Sequence, residues 1–345
     1  MTTLASSLAF VNVQLYRYFV PIQILCGTFS NVSNISIFSS KSLRLYSCSR
    51  YYLVQSIVSL VYIYTVVIIR WLAEGFNTDV TLYSIDLCKF YIYFLYVIRL
   101  MTASLLILSC IDRYLSSSSN YKLRKFSQIK VTRYTIPLTV IISSVSYIYL
   151  LMYVEIKQGI LCNIYNSHYV QFHYIFFTIL SNLSPPLLLL VFGLLTLKNV
   201  RHQRQQIHAA NNNNNNQLYR RRDNQMIRLM LYQAFIYVLF ALPLALIATV
   251  NAFNTPTTVT LFLQKAFIVV SFFNFILSFF INTLSATIYR QEFLKQLIFI
   301  SKKLFRSTWI EKRFIHRQQK QRQIKRFTFK RTVTVQQQTM TQTMT

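Results

Sequence analysis

Acidic side chains are scarce in this chain: eight Asp plus Glu stand against 36 Lys plus Arg in 345 residues. Charged residues make up only 13% of the total, about half of what a soluble domain carries. Glycine is nearly missing, with four residues, which excludes a collagen-like chain. Low charge combined with 54% hydrophobic residues also excludes a disordered chain and an ordinary cytosolic enzyme. Five cysteines (Cys26, Cys48, Cys88, Cys110, Cys162) are too few and too scattered for a disulfide scaffold, and no Cys-x-x-Cys pair occurs. The five histidines (His168, His173, His202, His208, His316) have no metal-ligand spacing. Phosphate-binding glycine loops and intramembrane carboxylate pairs are also missing. No metal, cofactor or catalytic constellation is therefore expected.

What is present is apolar and aromatic: 28 Phe, 24 Tyr and a mean hydropathy of +0.38. This composition points to a polytopic membrane protein. A helix crossing the hydrocarbon needs about 20 apolar residues, so charge-free intervals serve as a ruler. Such intervals hold 23 residues between Arg17 and Lys41, 19 between Arg50 and Arg70, and 21 between Arg133 and Glu155. They hold 40 between Lys157 and Lys198, 36 between Arg228 and Lys265, and 24 between Lys265 and Arg290; Lys89 to Asp112 is interrupted only by Arg99. The reading is an all-α membrane protein with seven helices, near 19–40, 51–72, 88–111, 134–154, 172–197, 228–251 and 262–284. Residues 1–18 form an extracellular N-terminus, 19–284 the seven-transmembrane bundle, 285–300 a short amphipathic membrane-surface helix, and 301–345 a basic, Thr-rich cytoplasmic tail.

Lys and Arg counts set the orientation. The loops after helices one, three and five and the final tail hold 30 of them, against 5 on the opposite side. The N-terminus is thus expected outside and the C-terminus inside. Residues Met1 to Tyr16 carry no positive charge ahead of an apolar core, so a cleaved secretory signal is not expected. The net charge of +28 sits in loops and tail rather than on a soluble domain, which argues against nucleic acid. The basic stretch Lys302 to Arg331 is better read as a tail attracted to anionic lipid. Asn211 to Asn216 reads as a flexible spacer, and the sequons at Asn31, Asn34 and Asn182 fall inside spans.

The pattern becomes specific at Asp112-Arg113-Tyr114, at the inner end of helix three. Cys88 lies 25 residues before Arg113. That separation amounts to roughly 37 Å of helix, a membrane with its interfaces. Gly27 and Asn31 in helix one, Pro185-Pro186 in helix five, Pro243 in helix six, and the run Tyr289 to Phe293 complete the set. Together they resemble rhodopsin-like (class A) G-protein-coupled receptors over about residues 19 to 300. Helix five from Ser184 to Arg201 resembles the FMRFamide-type invertebrate peptide receptors.

The resemblance implies a Cys88–Cys162 disulfide, an extracellular ligand (a peptide), a heterotrimeric G protein and a plasma-membrane location. It also implies that Arg113 is held by Asp112 and by Asp223 on helix six until helix six swings outward. The alternative is that Arg113 and Asp223 are ordinary interfacial charges reaching water. Pro185, Pro186 and Pro243 are candidate helix kinks. Tail threonines from Thr332 to Thr345 are either phosphorylation sites for arrestin recruitment or an inert polar end.

Several positions depart from the family. Ser59 stands where helix two often has Asp, and Ala241 replaces the helix-six Trp ahead of Pro243. Ser278 and Asn282 replace the Asn and Tyr of the helix-seven Asn-Pro-x-x-Tyr. These changes keep a second reading open, a receptor-like protein that no longer couples. A transporter or channel is a third, although neither paired half-helices nor an intramembrane acid supports it.

Arg99 is the least expected residue. It lies 14 residues before Arg113, on nearly the same face of helix three and near mid-membrane. A charge there costs at least about 2.5 kcal/mol on insertion scales. It is read either as the floor of a ligand pocket, meeting an acidic or carbonyl group, or as part of a polar cluster with Tyr, Ser and water. Leu95 stands where amine receptors carry an Asp, which argues against a monoamine. Tyr96 and the aromatics Phe272 and Phe273 are candidate pocket lining, against a reading as simple packing. Trp71 reads as an interface anchor.

Overall fold

The computed structural model describes residues 2–41, 43–157, 161–164, 167–210, 214–285 and 287–305. It divides into two units, Met1–Arg290 and Gln291–Thr345. The first unit is an all-α bundle. Helix one runs Thr2–Gln14, a π-helical turn Leu15–Phe19, then Val20–Phe38. Helix two comprises Ser47–Tyr62, a π turn Ile63–Val67, and Ile68–Phe76. Helix three is Ile85–Ser116 and helix four Ile129–Ser146. Helix five joins Ser167–Phe177 through a π turn Thr178–Leu183 to Ser184–Ala210. Helix six is Asn214–Phe253, and helix seven is broken into Thr258–Ser271, Phe273–Ile276 and Ser278–Ser285. Between helices four and five, β1 (Val154–Lys157) pairs antiparallel with β2 (Leu161–Ile164), with Ile156 opposite Cys162.

Most helices extend beyond the charge-free intervals, because the ruler measures hydrocarbon whereas a helix can continue into the polar interface. Helix one begins at Thr2, well before the expected position 19, so residues 2–18 are largely helical. Asn214 to Asn216, read as spacer, open helix six, while Asn211 to Asn213 lie outside the described residues. Among the described residues six helices are long and apolar enough to cross a membrane, and helix one is not among them. Its sequence is diluted by polar residues that face inward: Gln23, Ser30, Asn31 and Asn34 are buried, while Ile22, Leu25, Phe29 and Val32 are exposed.

Helix seven explains that polarity. Helix one supplies side-chain donors to the carbonyls around the interruptions of helix seven. Gln23 Nε2 donates to the Val269 carbonyl at 3.1 Å and Asn31 Nδ2 to the Phe275 carbonyl at 2.8 Å. Ser30 Oγ donates to the Ile276 carbonyl, and Asn34 Nδ2 to Ser278 Oγ at 2.9 Å. Gly27 permits this approach: a Cβ there would stand 2.7 Å from Ile63 Cδ1 and 3.1 Å from Ile276 Cγ1.

Prolines act by a related route. Pro185 has no N–H for the Ser181 carbonyl four residues earlier, and Tyr237 on helix six donates its hydroxyl to that carbonyl. The missing donor in helix five thus becomes a tie to helix six. Pro186 is buried on the same turn, and Pro243 lies inside helix six. The helix Thr287–Phe305 carries a Lys295–Glu292 pair at 2.6 Å.

Candidate functional site

Cys88, in the first turn of helix three, is bonded to Cys162 on β2, with Cα atoms 5.7 Å apart. The hairpin is thereby clamped over one end of the bundle, where Val154 and Ile164 pack with Cys88, Tyr147 and Leu150. Beneath it opens a cavity of about 620 Å³. Its rim carries charges of both signs. Glu74 takes Lys265 Nζ at 2.7 Å and Arg70 Nη1 at 3.5 Å, bridging helices two and seven. Arg17 reinforces this end by donating to the Gly75 carbonyl at 3.2 and 3.0 Å.

Four of the expected pocket residues meet in this cavity: Leu95, Tyr96, Arg99 and Phe272 all line it. Phe273 is elsewhere, its ring 6.0 Å from Phe19 and 5.2 Å from Phe240. Tyr96 sits edge-on to His173 and Phe177, with centroids at 4.3 and 5.1 Å. His173 in turn bonds Tyr149 through Nδ1 at 2.7 Å. Trp71 closes the rim from outside, its indole donating to the Arg17 carbonyl at 3.4 Å.

Arg99 forms the floor. It is 8% exposed, and its guanidinium carbon lies 5.7 Å from the Phe177 ring centre. Among the described residues it has no ion pair. It borders both the large cavity and a smaller one of about 40 Å³ deeper in the bundle. Below this lies a polar chain across four helices. Tyr52 Oη donates to Gln233 Oε1 at 2.9 Å, Gln233 Nε2 to Asn282 Oδ1 at 3.1 Å, and Asn282 Nδ2 to Asn34 Oδ1 at 3.4 Å.

The opposite end holds Asp112, Arg113 and Tyr114. Asp112 was expected to hold Arg113, but no ion pair joins them. Its carboxylate accepts from Ser127 Oγ at 2.8 Å and lies against the start of helix two at Ser47 and Cys48, where Ser47 Oγ donates to the Ser127 carbonyl at 2.9 Å. Helix two begins at Ser47, so its unpaired N–H groups and positive dipole end compete for the acid. The Arg113 guanidinium lies beside the Cys48 thiol, and its Nε is buried without a hydrogen-bond partner among the described residues. Tyr114 packs toward Phe192 of helix five at 5.8 Å. Asp223 falls within helix six, and its side chain lies outside the described residues. So do residues 306–345, with the tail threonines and most of the basic stretch.

Sequence reasoning missed the rim, Arg70, Glu74 and Lys265, and the aromatic wall, Phe177 and His173. Arg70 and Glu74 are four apart at the end of a span, a visible helical pair. Lys265 is 191 residues from Glu74, and no local signal joins them. Among the described residues no three His, Cys, Asp or Glu side chains could hold a metal ion.

A disulfide-clamped helical bundle, open to a charged cavity at one end and carrying Asp-Arg-Tyr at the other, has the architecture of a membrane receptor. Residues 30–288 match the family described as 7 transmembrane receptor (rhodopsin family). This match covers well over half of the chain, which belongs to that family. No curated protein matches the chain.

Proposed function

We propose that this receptor binds an extracellular peptide in the 620 Å³ cavity and activates a heterotrimeric G protein at the Arg113 end. The observation that carries the reading is the cavity's composition. Arg70, Lys265 and Arg99 stand with Glu74 among Tyr62, Tyr91, Tyr96 and Phe177. Charges of both signs set between aromatic walls suit a peptide, which presents both charges and apolar side chains, better than an amine or a lipid. The helix-five resemblance favours the FMRFamide-type branch. The disulfide end faces outside and the basic loops face the cytoplasm of a plasma-membrane protein, in keeping with the Lys and Arg distribution. Helix 287–305 lies on the inner leaflet, the basic tail attracts anionic lipid, and the phosphorylated tail recruits arrestin.

Signalling follows from differential affinity. A ligand that binds better when helix six is displaced shifts the population toward that state. Helix six is held by Tyr237 and Gln233, and Arg113 becomes available when the helix leaves. The test is a peptide-library screen with a promiscuous G-protein readout, repeated on Arg113→Ala at matched surface levels. The expected result is a response to peptide that Arg113→Ala abolishes. A second reading, a receptor that binds without coupling, is favoured by Ala241, Ser278 and Asn282 in place of the family's switch residues. Peptide binding with no G-protein dissociation would select it.

A further inference from the structure

The 40 Å³ inner cavity sits where two unusual features meet. Ala241 lines it at the position of the family's bulky Trp, so there is room. Arg99 lines it as well, so there is charge. More than nine-tenths of Arg99 is buried, and it finds neither a carboxylate nor a hydrogen bond among the described residues. Among the described residues it faces the Phe177 ring at 5.7 Å, a weak partner for a full charge in low dielectric. No acid among the described residues lines this inner cavity: none of the chain's eight, Glu74, Asp79, Asp86, Asp112, Glu155, Asp223, Glu292 and Glu311, borders it.

The remaining lining is polar and apolar by turns, with two amides free of other bonds. The Gln55 and Asn274 carboxamides make no hydrogen bond among the described residues, and Gln55 is 7% exposed with its Oε1 unpartnered. Thr102, Gln233, Tyr237 and Ser278 complete the polar wall. An amide can turn either its oxygen or its NH2 to an occupant. The volume suits one monatomic ion with a water, since a single water takes about 10–15 Å³ on this measure.

We propose that this inner cavity is a binding site for a small inorganic anion, with chloride the physiological occupant, held by Arg99 and the Gln55 and Asn274 amides. The anion enters through the larger cavity, which shares Arg99. Occupancy neutralises the buried guanidinium and stabilises the closed bundle by mass action. The site is independent of which ligand binds above it.

The test uses the full-length protein in nanodiscs of neutral phospholipid, with sodium chloride exchanged for sodium gluconate at constant ionic strength. Thermal unfolding should shift upward by several degrees as chloride rises, and the shift should saturate. Arg99→Leu should abolish the chloride dependence; because it keeps the basic loops and tail, a dependence that arose from anion binding there would survive the substitution. Gln55→Glu places a carboxylate in the cavity with almost no change of shape. It should melt in gluconate at the wild-type chloride temperature and ignore added chloride. Identical wild-type curves in the two salts, meaning water only in the cavity, would overturn the proposal. So would a chloride shift that survives Arg99→Leu. If Arg99→Leu does not fold, the Gln55→Glu comparison decides alone.

Discussion

Two seams of the bundle are built differently. Helices one and seven are joined by six side-chain hydrogen bonds, from Tyr16 to Lys265 at one end to Asn34 and Asn282 at the other. Helices five and six, among the described residues, rely on Thr178 and Tyr237. A hydrogen bond between membrane helices contributes about 0.6 kcal/mol on average. Among the described residues the first seam therefore holds roughly two to three times the polar binding energy of the second. Four of its bonds end on helix-seven carbonyls, so separating the helices leaves buried helix-one donors unpaired in a low dielectric. The helix one–seven seam is the fixed wall, and the five–six seam is the cheaper one to open. A receptor that must change its packing needs both.

That contrast can be broken from the rigid side first. Gly27→Leu drives a side chain into Ile63 and Ile276 and should cost about 3 kcal/mol, the upper end of ordinary overpacking. It would be read as a large fall in the unfolding midpoint of the purified receptor. Asn31→Ala removes bonds to the Gly27 and Phe275 carbonyls, both at 2.8 Å. It should cost about 1–2 kcal/mol, measured the same way. A loss no larger than that of an exposed control such as Val32→Ala would mean the seam is not held by its polar bonds.

The next effects concern signalling. Gln233→Leu cuts helix six from both Tyr52 and Asn282, worth about 1 kcal/mol of closed-state preference. Ligand-free G-protein dissociation should rise roughly fivefold at matched surface expression. Unchanged basal signalling in a coupling-competent receptor would show that this chain does not restrain helix six. The smallest effect is expected at Thr178→Val, which deletes the 2.8 Å bond to Thr249 at about 0.6 kcal/mol. It should raise agonist potency two- to threefold with little change in thermal stability, sharpening the distinction between the seams.

Parts of the site were legible early because they depend on one helix. Arg99 and Arg113 share a face by arithmetic on 3.6 residues per turn, and Leu95, Tyr96 and Arg99 do border one cavity. The partner of Asp112 was not legible. Neighbouring Arg113 is the obvious choice in sequence, yet Ser127 Oγ donates to the carboxylate at 2.8 Å and the start of helix two, more than 60 residues away, lies against it. The length of helix one was hidden for a related reason. Polar Gln23, Ser30, Asn31 and Asn34 lower its hydropathy, and their purpose is visible only where helix seven breaks.

From the order of residues alone came the membrane-spanning character, the expected orientation and the likeness to rhodopsin-family receptors. Span length, charge bias and the Cys88-to-Arg113 interval are properties of short stretches of chain. The tertiary structure decided which cavity Arg99 faces, which helices the polar stripe of helix one binds, and where Asp112 goes. Those outcomes turn on competition among donors and acceptors up to 249 positions apart, and in a medium without water each settles on whichever partner the packing brings within reach.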